Sequence, residues 1–307
     1  MKCLVTGGAG FIGSNLTIEL VKKGHEVIVI DNLATGVMEN LESVKNDITF
    51  VKSDLQDNSN FLKASKGVDY IFHQGGSSSS IFCDADRKLA VEANIYGFVS
   101  MLNAAIENNV KRVIYASTSS IYGNLPPPLK EDMNVTPPNF YAITKHTMEH
   151  IAKMFGTESG VETVGFRYMS VYGPKEDHKK DIANMASQFL WSMQKNEQPI
   201  VFGDGKQTRD FTYVRDVVNA NILAMESKEK LVGEVFNVGS GETKSLNELV
   251  DILNKLMEKD IPPKYIENPI KNYIFTQLGD ISKIKSILNY QPKFSLEEGL
   301  KGTINKK

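Results

Sequence analysis

The feature that most constrains this chain is a collision near its start: the apolar run Met1-Lys-Cys-Leu-Val-Thr6 meets Gly7-Gly8-Ala9-Gly10-Phe11-Ile12-Gly13 directly. Gly7, Gly10 and Gly13 stand at G-x-x-G-x-x-G spacing, and the residues from Ser14 to Lys23 carry apolar positions at helical spacing until Gly24 stops them. The pattern predicts strand, tight turn and helix. In such a turn Gly7 permits the bend, Gly10 lets a diphosphate approach the backbone, and Gly13 lets helix and strand pack closely. The unpaired amides and positive dipole end of the helix then face the phosphates. A second strand, Glu26-Val-Ile-Val-Ile30, ends in Asp31, eighteen residues beyond Gly13. A carboxylate there accepts ribose hydroxyls and repels a 2′-phosphate, and no Lys or Arg occurs from Asp31 to Asn40, which predicts NAD rather than NADP.

Strand and helix patterns keep alternating: strands at 48–52, 68–73, 111–116 and 161–167, with helices at 84–109 and from Tyr141 to about Gly156. Alternation of this kind predicts a doubly wound parallel sheet of the Rossmann type, with ligands at the carboxyl ends of its strands. Asp54 follows the third strand, placed either to accept from the adenine amino group or to serve as a turn acid. Gln74-Gly-Gly-Ser-Ser-Ser-Ser80 follows the fourth, and its small residues leave space for a cofactor. Beyond Tyr168 the alternation loosens. The expected division is a NAD-binding domain over 1–168, rejoined by about 211–238, and a smaller, mostly substrate-binding α/β domain over 169–307. The 307 residues suit such a pair. A net charge of −2 gives no reason to expect nucleic acid or a membrane surface. The chain opens on a strand with no room for a signal peptide, no apolar run approaches membrane-spanning length, and Cys3 and Cys83 are too few for a disulfide framework. A soluble cytoplasmic protein is expected.

Tyr141 and Lys145 lie four apart, on one helical face. Tyrosine titrates near pH ~10, so its use as a base at neutral pH requires a nearby positive charge. Lys145 and an oxidised nicotinamide both supply one. Thr118, at the end of the fifth strand, is placed to hold a substrate hydroxyl while Tyr141 removes its proton.

Taken in order, Thr6-Gly-Gly-Ala-Gly-Phe-Ile-Gly13, Asp31-Asn-Leu-Ala-Thr-Gly36, Tyr115-Ala-Ser-Thr-Ser-Ser-Ile-Tyr-Gly123, Tyr141-x-x-x-Lys145, Arg167-Tyr-Met-Ser-Val-Tyr-Gly-Pro174 and Arg209-Asp-Phe-Thr-Tyr-Val-Arg-Asp216 resemble the extended short-chain dehydrogenase/reductases. Within them the chain resembles nucleotide-sugar epimerases of the UDP-glucose 4-epimerase type. The resemblance implies that Phe11, Ile12, Asn32, Leu55, Asn94 and Tyr168 join Gly7, Gly10, Gly13, Asp31, Asp54, Gln74, Tyr141 and Lys145 around NAD. It implies that Ser78, Thr118, Ser170, Lys179 and Arg209 meet a nucleotide-sugar substrate, and that the chain forms a homodimer through its two long helices. The activity implied is epimerisation by transient hydride transfer through a keto sugar.

Three departures bear on the substrate. Ser170 stands where many members have Asn, and Phe275 near where they have Arg. Ser119-Ser120 replaces the Asp-Glu of the dehydratase branch, which removes the acid that would expel a hydroxyl. Ile71-Phe-His-Gln-Gly-Gly-Ser, Tyr172-Gly-Pro-Lys-Glu-Asp-His-Lys179 and Phe275-Thr-Gln277 resemble ADP-heptose 6-epimerases, in which the lysine matching Lys179 is a second acid/base; the alternative here is a solvated charge run. Other nucleotide sugars, a decarboxylase or reductase, and a non-catalytic dinucleotide sensor remain as rival readings. His146-Thr-Met-Glu-His150 fits the zinc pattern H-x-x-E-H, but it follows Lys145 on the same helix, where packing is the expected use and no metal is.

Overall fold

Lys2–Thr6 forms the first strand because its side chains are apolar on both faces: Leu4 points into one core, Cys3 and Val5 into the other. The chain turns at Gly7, where φ is +64°, into the helix Phe11–Lys22. A computed structural model describes residues 1–268 and 273–305. Among these, seven parallel strands form one sheet in the order Val232–Val238, Glu162–Tyr168, Arg112–Thr118, Tyr70–His73, Lys2–Thr6, Glu26–Asp31, Ile48–Lys52. The expected doubly wound α/β architecture is therefore present. Register pairs Thr6 with Ile30 and with His73, His73 with Tyr115, and Thr118 with Tyr168. The sheet thus delivers Thr6, Asp31, His73, Thr118 and Tyr168 to one edge. The strand order reverses about Lys2–Thr6, which opens a crevice at that edge.

One apolar layer, containing Val5, Leu16, Val29, Phe166, Val217 and Phe236, covers one face of the sheet. Another, containing Leu4, Ile71, Phe98, Met101, Tyr115 and Met148, covers the other. A third core lies beyond the carboxyl edge, where Tyr172, Phe189, Leu190, Phe211, Leu246, Leu249 and Leu300 cluster with Phe11 of the first helix. Its strands are short: Ser170–Tyr172 pairs with Phe211–Tyr213, Ile200–Phe202 with Lys264–Ile266, and Thr208–Arg209 with Lys244–Ser245.

Two expectations need correction. The helix anticipated over 84–109 is interrupted: Ser80–Ala85 ends at Asp86, whose side chain caps a new start by accepting from the Leu89 amide, and Glu92–Tyr96 winds as a π turn before Gly97–Glu107. The helical run Arg87–Glu107 is also long and apolar enough to cross a membrane, contrary to the expectation that no run approaches that length. Half of that apolar stretch is buried inside the protein, with Phe98, Met101, Leu102 and Ala105 packed in the core beneath the sheet, so its apolarity has a use in packing.

Candidate active site

The glycine turn is built by steric exclusion. A Cβ on Gly7 would stand 2.6 Å from the Gly75 backbone, and one on Gly13 would overlap the Gly7 carbonyl. One on Gly10 would meet the Gly7 oxygen alone, at a tight 3.2 Å. Asp31, nearly buried, accepts from the Ala9 amide at 2.9 Å and the Leu33 amide at 2.8 Å, which ties the second strand to the turn. Burial raises its pKa, and those two amides oppose the rise. Asn32 donates to Asp54 at 2.6 Å, which joins the ends of the second and third strands. Leu55 underlies Gly75 and Gly97, where any Cβ would crowd it.

The fourth strand continues this wall. Gly75 donates its amide to Thr6 Oγ1 at 3.2 Å, and Gln74 bridges the Tyr168 hydroxyl and Asn221 Oδ1, each at 3.2 Å. Asn94, wholly buried in the π turn, accepts from the Ser77 amide at 2.8 Å and donates to Ser77 O and to Thr144 Oγ1. The π turn therefore fastens the Gly-Ser run to the helix Phe140–Ser159, which begins where Asn139 caps the Ala142 amide. On that helix Lys145 is buried and donates to Ala116 O at 3.0 Å. Burial lowers its pKa to about 8. Burial likewise pushes the Tyr141 phenol up to about 12, with hydrogen bonding from Thr118 opposing the shift. Thr118 Oγ1 also accepts from the Ser120 amide.

A cleft of about 980 Å³ opens against these groups, and Ser78, Thr118, Tyr141, Tyr168, Ser170 and Arg209 all line it. Lys179 is not among its lining residues. Its Nζ lies 3.4 Å from Glu176 and 4.8 Å from the centre of the Phe11 ring. Arg209 Nη1 donates to Thr208 O at 2.8 Å, and its guanidinium stacks 5.1 Å from the Tyr273 ring. Neither of the nearby acids in sequence, Asp210 or Asp216, pairs with it. Asp210 is taken by Ser240, Thr212 and Gly279, and Asp216 accepts from the Lys293 and Phe294 amides. Among the described residues no carboxylate lies within ion-pairing distance of Arg209, a cation left available for an anion in the cleft.

Three further residues complete the site, of which Gln277 was marked in the sequence only within Phe275-Thr-Gln277 and Glu149 only within the H-x-x-E-H run. Gln277 donates to Ser119 Oγ at 2.8 Å and accepts from Ser170 Oγ at 2.7 Å, closing the cleft floor across 158 residues of chain. Asn221 donates to the Tyr168 hydroxyl at 2.9 Å; apart from Asp216 it is the one polar residue buried on the helix Val214–Glu226. Glu149, inside the H-x-x-E-H run, is turned to Arg167 and Ser117, and among the described residues no three potential ligands cluster as a metal would need.

Turn, acid and helix fit a dinucleotide: glycines where a side chain would crowd the turn, a carboxylate at the end of the second strand, and a Tyr and Lys pair beside the end of the fifth. Residues 3–239 match the family model described as the NAD dependent epimerase/dehydratase family. The UDP-glucose 4-epimerase of Thermotoga maritima, solved with UDP-glucose, is 35% identical and superposes with a TM-score of 0.93, covering 99% of this chain and 97% of that one. The UDP-glucuronic acid 4-epimerase of Bacillus cereus, solved with UDP-glucuronic acid and NAD, is 29% identical with a TM-score of 0.90, covering 99% and 98%. A UDP-N-acetyl-alpha-D-glucosaminuronate decarboxylase of Bacillus cytotoxicus is 34% identical, over 99% of this chain and 96% of that protein.

Proposed function

The chain belongs to the NAD dependent epimerase/dehydratase family, and on that premise we propose that it epimerises a nucleotide-diphosphate sugar at C4, in the manner of UDP-glucose and UDP-galactose. Its cofactor is NAD, which when bound supplies a reversible hydride acceptor. Tyr141 takes the proton of the sugar hydroxyl as the adjacent carbon is oxidised, and returns it after the keto sugar has turned over. Thr118 holds that hydroxyl in line, and the Lys145 ammonium favours the phenolate. Arg209 faces the substrate diphosphate. There is no net redox change.

The observation that carries this reading is the convergence of Thr118, Tyr141 and Tyr168 on one wall of the cleft, with Lys145 buried behind them and Ser119 and Ser120, not carboxylic acids, beside Thr118. The two positions after Thr118 carry no acid to expel a hydroxyl, which favours return of the hydride over elimination. Exposed apolar residues on two adjacent helices, Leu89 and Tyr96 on one and Ile143 and Met154 on the other, support the homodimer that forms part of the same reading.

Replacing Tyr141 by Phe lowers the interconversion rate by about 10²- to 10⁴-fold while NAD remains bound. Product NMR on a panel of UDP-, GDP- and ADP-sugars, with cofactor released by denaturation and quantified, reads both. An active Tyr141→Phe enzyme sinks the mechanism. The similarity to a decarboxylase gives the second reading, in which the same panel releases carbon dioxide from a uronic acid instead.

A further inference from the structure

We propose that Lys179 binds the diphosphate of NAD, carried to the glycine turn by the segment from Pro174 to Asn184, and does not contact the sugar. The inference rests on the family's cofactor and is independent of which nucleotide sugar is turned over.

The segment is fastened across the turn. Asn15, on the first helix, donates to Pro174 O at 3.0 Å. Asn40 donates to Ala9 O, inside the glycine turn, at 3.0 Å and to Lys175 O at 3.4 Å, and lies 3.3 Å from His178 Nδ1. Two short 3₁₀ turns over Asp177–Ile182, broken at Lys180 where φ is +49°, then place Lys179 Nζ 4.8 Å from the centre of the Phe11 ring. Phe11 is the first residue of the helix whose free amides face the phosphates, and its ring is buried in the third core, so it fixes the ammonium beside the helix start.

Charge argues for an anion there. The turn from Gly7 to Gly13 contains no cationic side chain, and the charged group attached to it is the Asp31 carboxylate. A cofactor diphosphate brings two negative charges to neutral amides, and one ammonium at the helix start meets that need with a charge-assisted bond. Glu176 keeps the cation in place. It is 1% exposed, accepts from Ser187 Oγ and the Asn184 amide, and stands 3.4 Å from Lys179. The carboxylate is thus committed to the segment, whereas the Lys179 side chain stays 26% exposed.

The substrate also carries a diphosphate, so the test separates the two sources. Lys179→Gln and Lys179→Arg are prepared in the full-length protein stripped of cofactor, and binding of NAD, ADP-ribose and UDP is measured by calorimetry. Lys179→Gln weakens NAD and ADP-ribose by about tenfold, and Lys179→Arg restores them to within about threefold, as a charge-assisted bond requires. UDP affinity does not change, and adenosine, which lacks the diphosphate, binds both proteins alike. Loss of affinity for UDP alone assigns Lys179 to the substrate and overturns the proposal, as does unchanged binding of both diphosphates. Since every readout is binding, a failed 4-epimerase assignment leaves the result interpretable.

Discussion

Burial acts on Tyr141 and Lys145 in one chemical direction, toward the neutral form of each: the phenol rises to about 12 and the ammonium falls to about 8. Proton abstraction needs the opposite combination, a phenolate supported by a cation. The ammonium that provides this support is present below about pH 8 and is lost as pH rises through it. The kcat/KM profile of the wild-type enzyme therefore has a falling limb that begins near pH 8. Lys145→Arg keeps its charge to far higher pH, so its residual activity shows no such limb. A wild-type profile flat across that range, measured with saturating NAD, removes Lys145 from the role. The pairing of these two residues was legible from their spacing on a helix. The burial that moves their pKa values was not, because it comes from other elements that the fold packs against this helix, such as the strand whose Ala116 carbonyl accepts from Lys145.

At the level of elements, the site is held together from behind by a buried ion pair. Glu149, one turn beyond Lys145, accepts from Ser117 Oγ at 2.5 Å and from Arg167 Nε at 2.9 Å and Nη2 at 2.7 Å. Ser117 precedes Thr118, and Arg167 precedes Tyr168. One carboxylate thus links the helix carrying Tyr141 to the two strands whose ends form the cleft wall. Arg167 extends the link to the Tyr122 hydroxyl at 2.9 Å, which donates to Asn237 at 2.7 Å on the outermost strand. Both charged side chains are 6% exposed. Breaking such a pair leaves a buried charge uncompensated, so Arg167→Met alone destabilises by about 3–5 kcal/mol, whereas joining it with Glu149→Leu recovers most of the loss. Urea unfolding of the two single variants and the double variant measures this; additive losses would show that the residues do not act as a pair. In the sequence Glu149 reads as the acid of an H-x-x-E-H run. Periodicity marks an inward face but not which distant strand supplies the partner.

The molecule as a whole divides into a sheet whose pattern is plain in the sequence and a third core whose pattern is faint. Six of the seven strands were legible from apolar runs alternating with helical patterns, and the glycine turn set the expected ligand at the sheet's edge, whereas Val232–Val238, interrupted by Gly233, Glu234 and Asn237, was not. The outer elements were not: Thr208–Arg209 and Lys244–Ser245 are two residues long, too short to show alternation, and Gln277 reaches the site only through the folded chain. The two halves meet at Phe11, which starts the first helix yet packs in the third core. Cofactor bound at that junction, as the proposed cofactor site has it, would stabilise both. For protein stripped of NAD, a free concentration one hundred times Kd adds about 2.7 kcal/mol to the unfolding free energy. For a chain of this size that raises the thermal midpoint by about 5 °C. NADP has a different effect, because its 2′-phosphate meets the nearly buried Asp31 carboxylate, which is already fastened to the Ala9 and Leu33 amides and cannot turn away. At the same concentration NADP shifts the midpoint by less than about a third as much. Asp31→Asn narrows that gap by removing the charge while keeping one acceptor for the turn. If NADP stabilises the wild-type protein as strongly as NAD, the carboxylate does not face the ribose, and the direction of the whole dinucleotide across the sheet edge has to be redrawn.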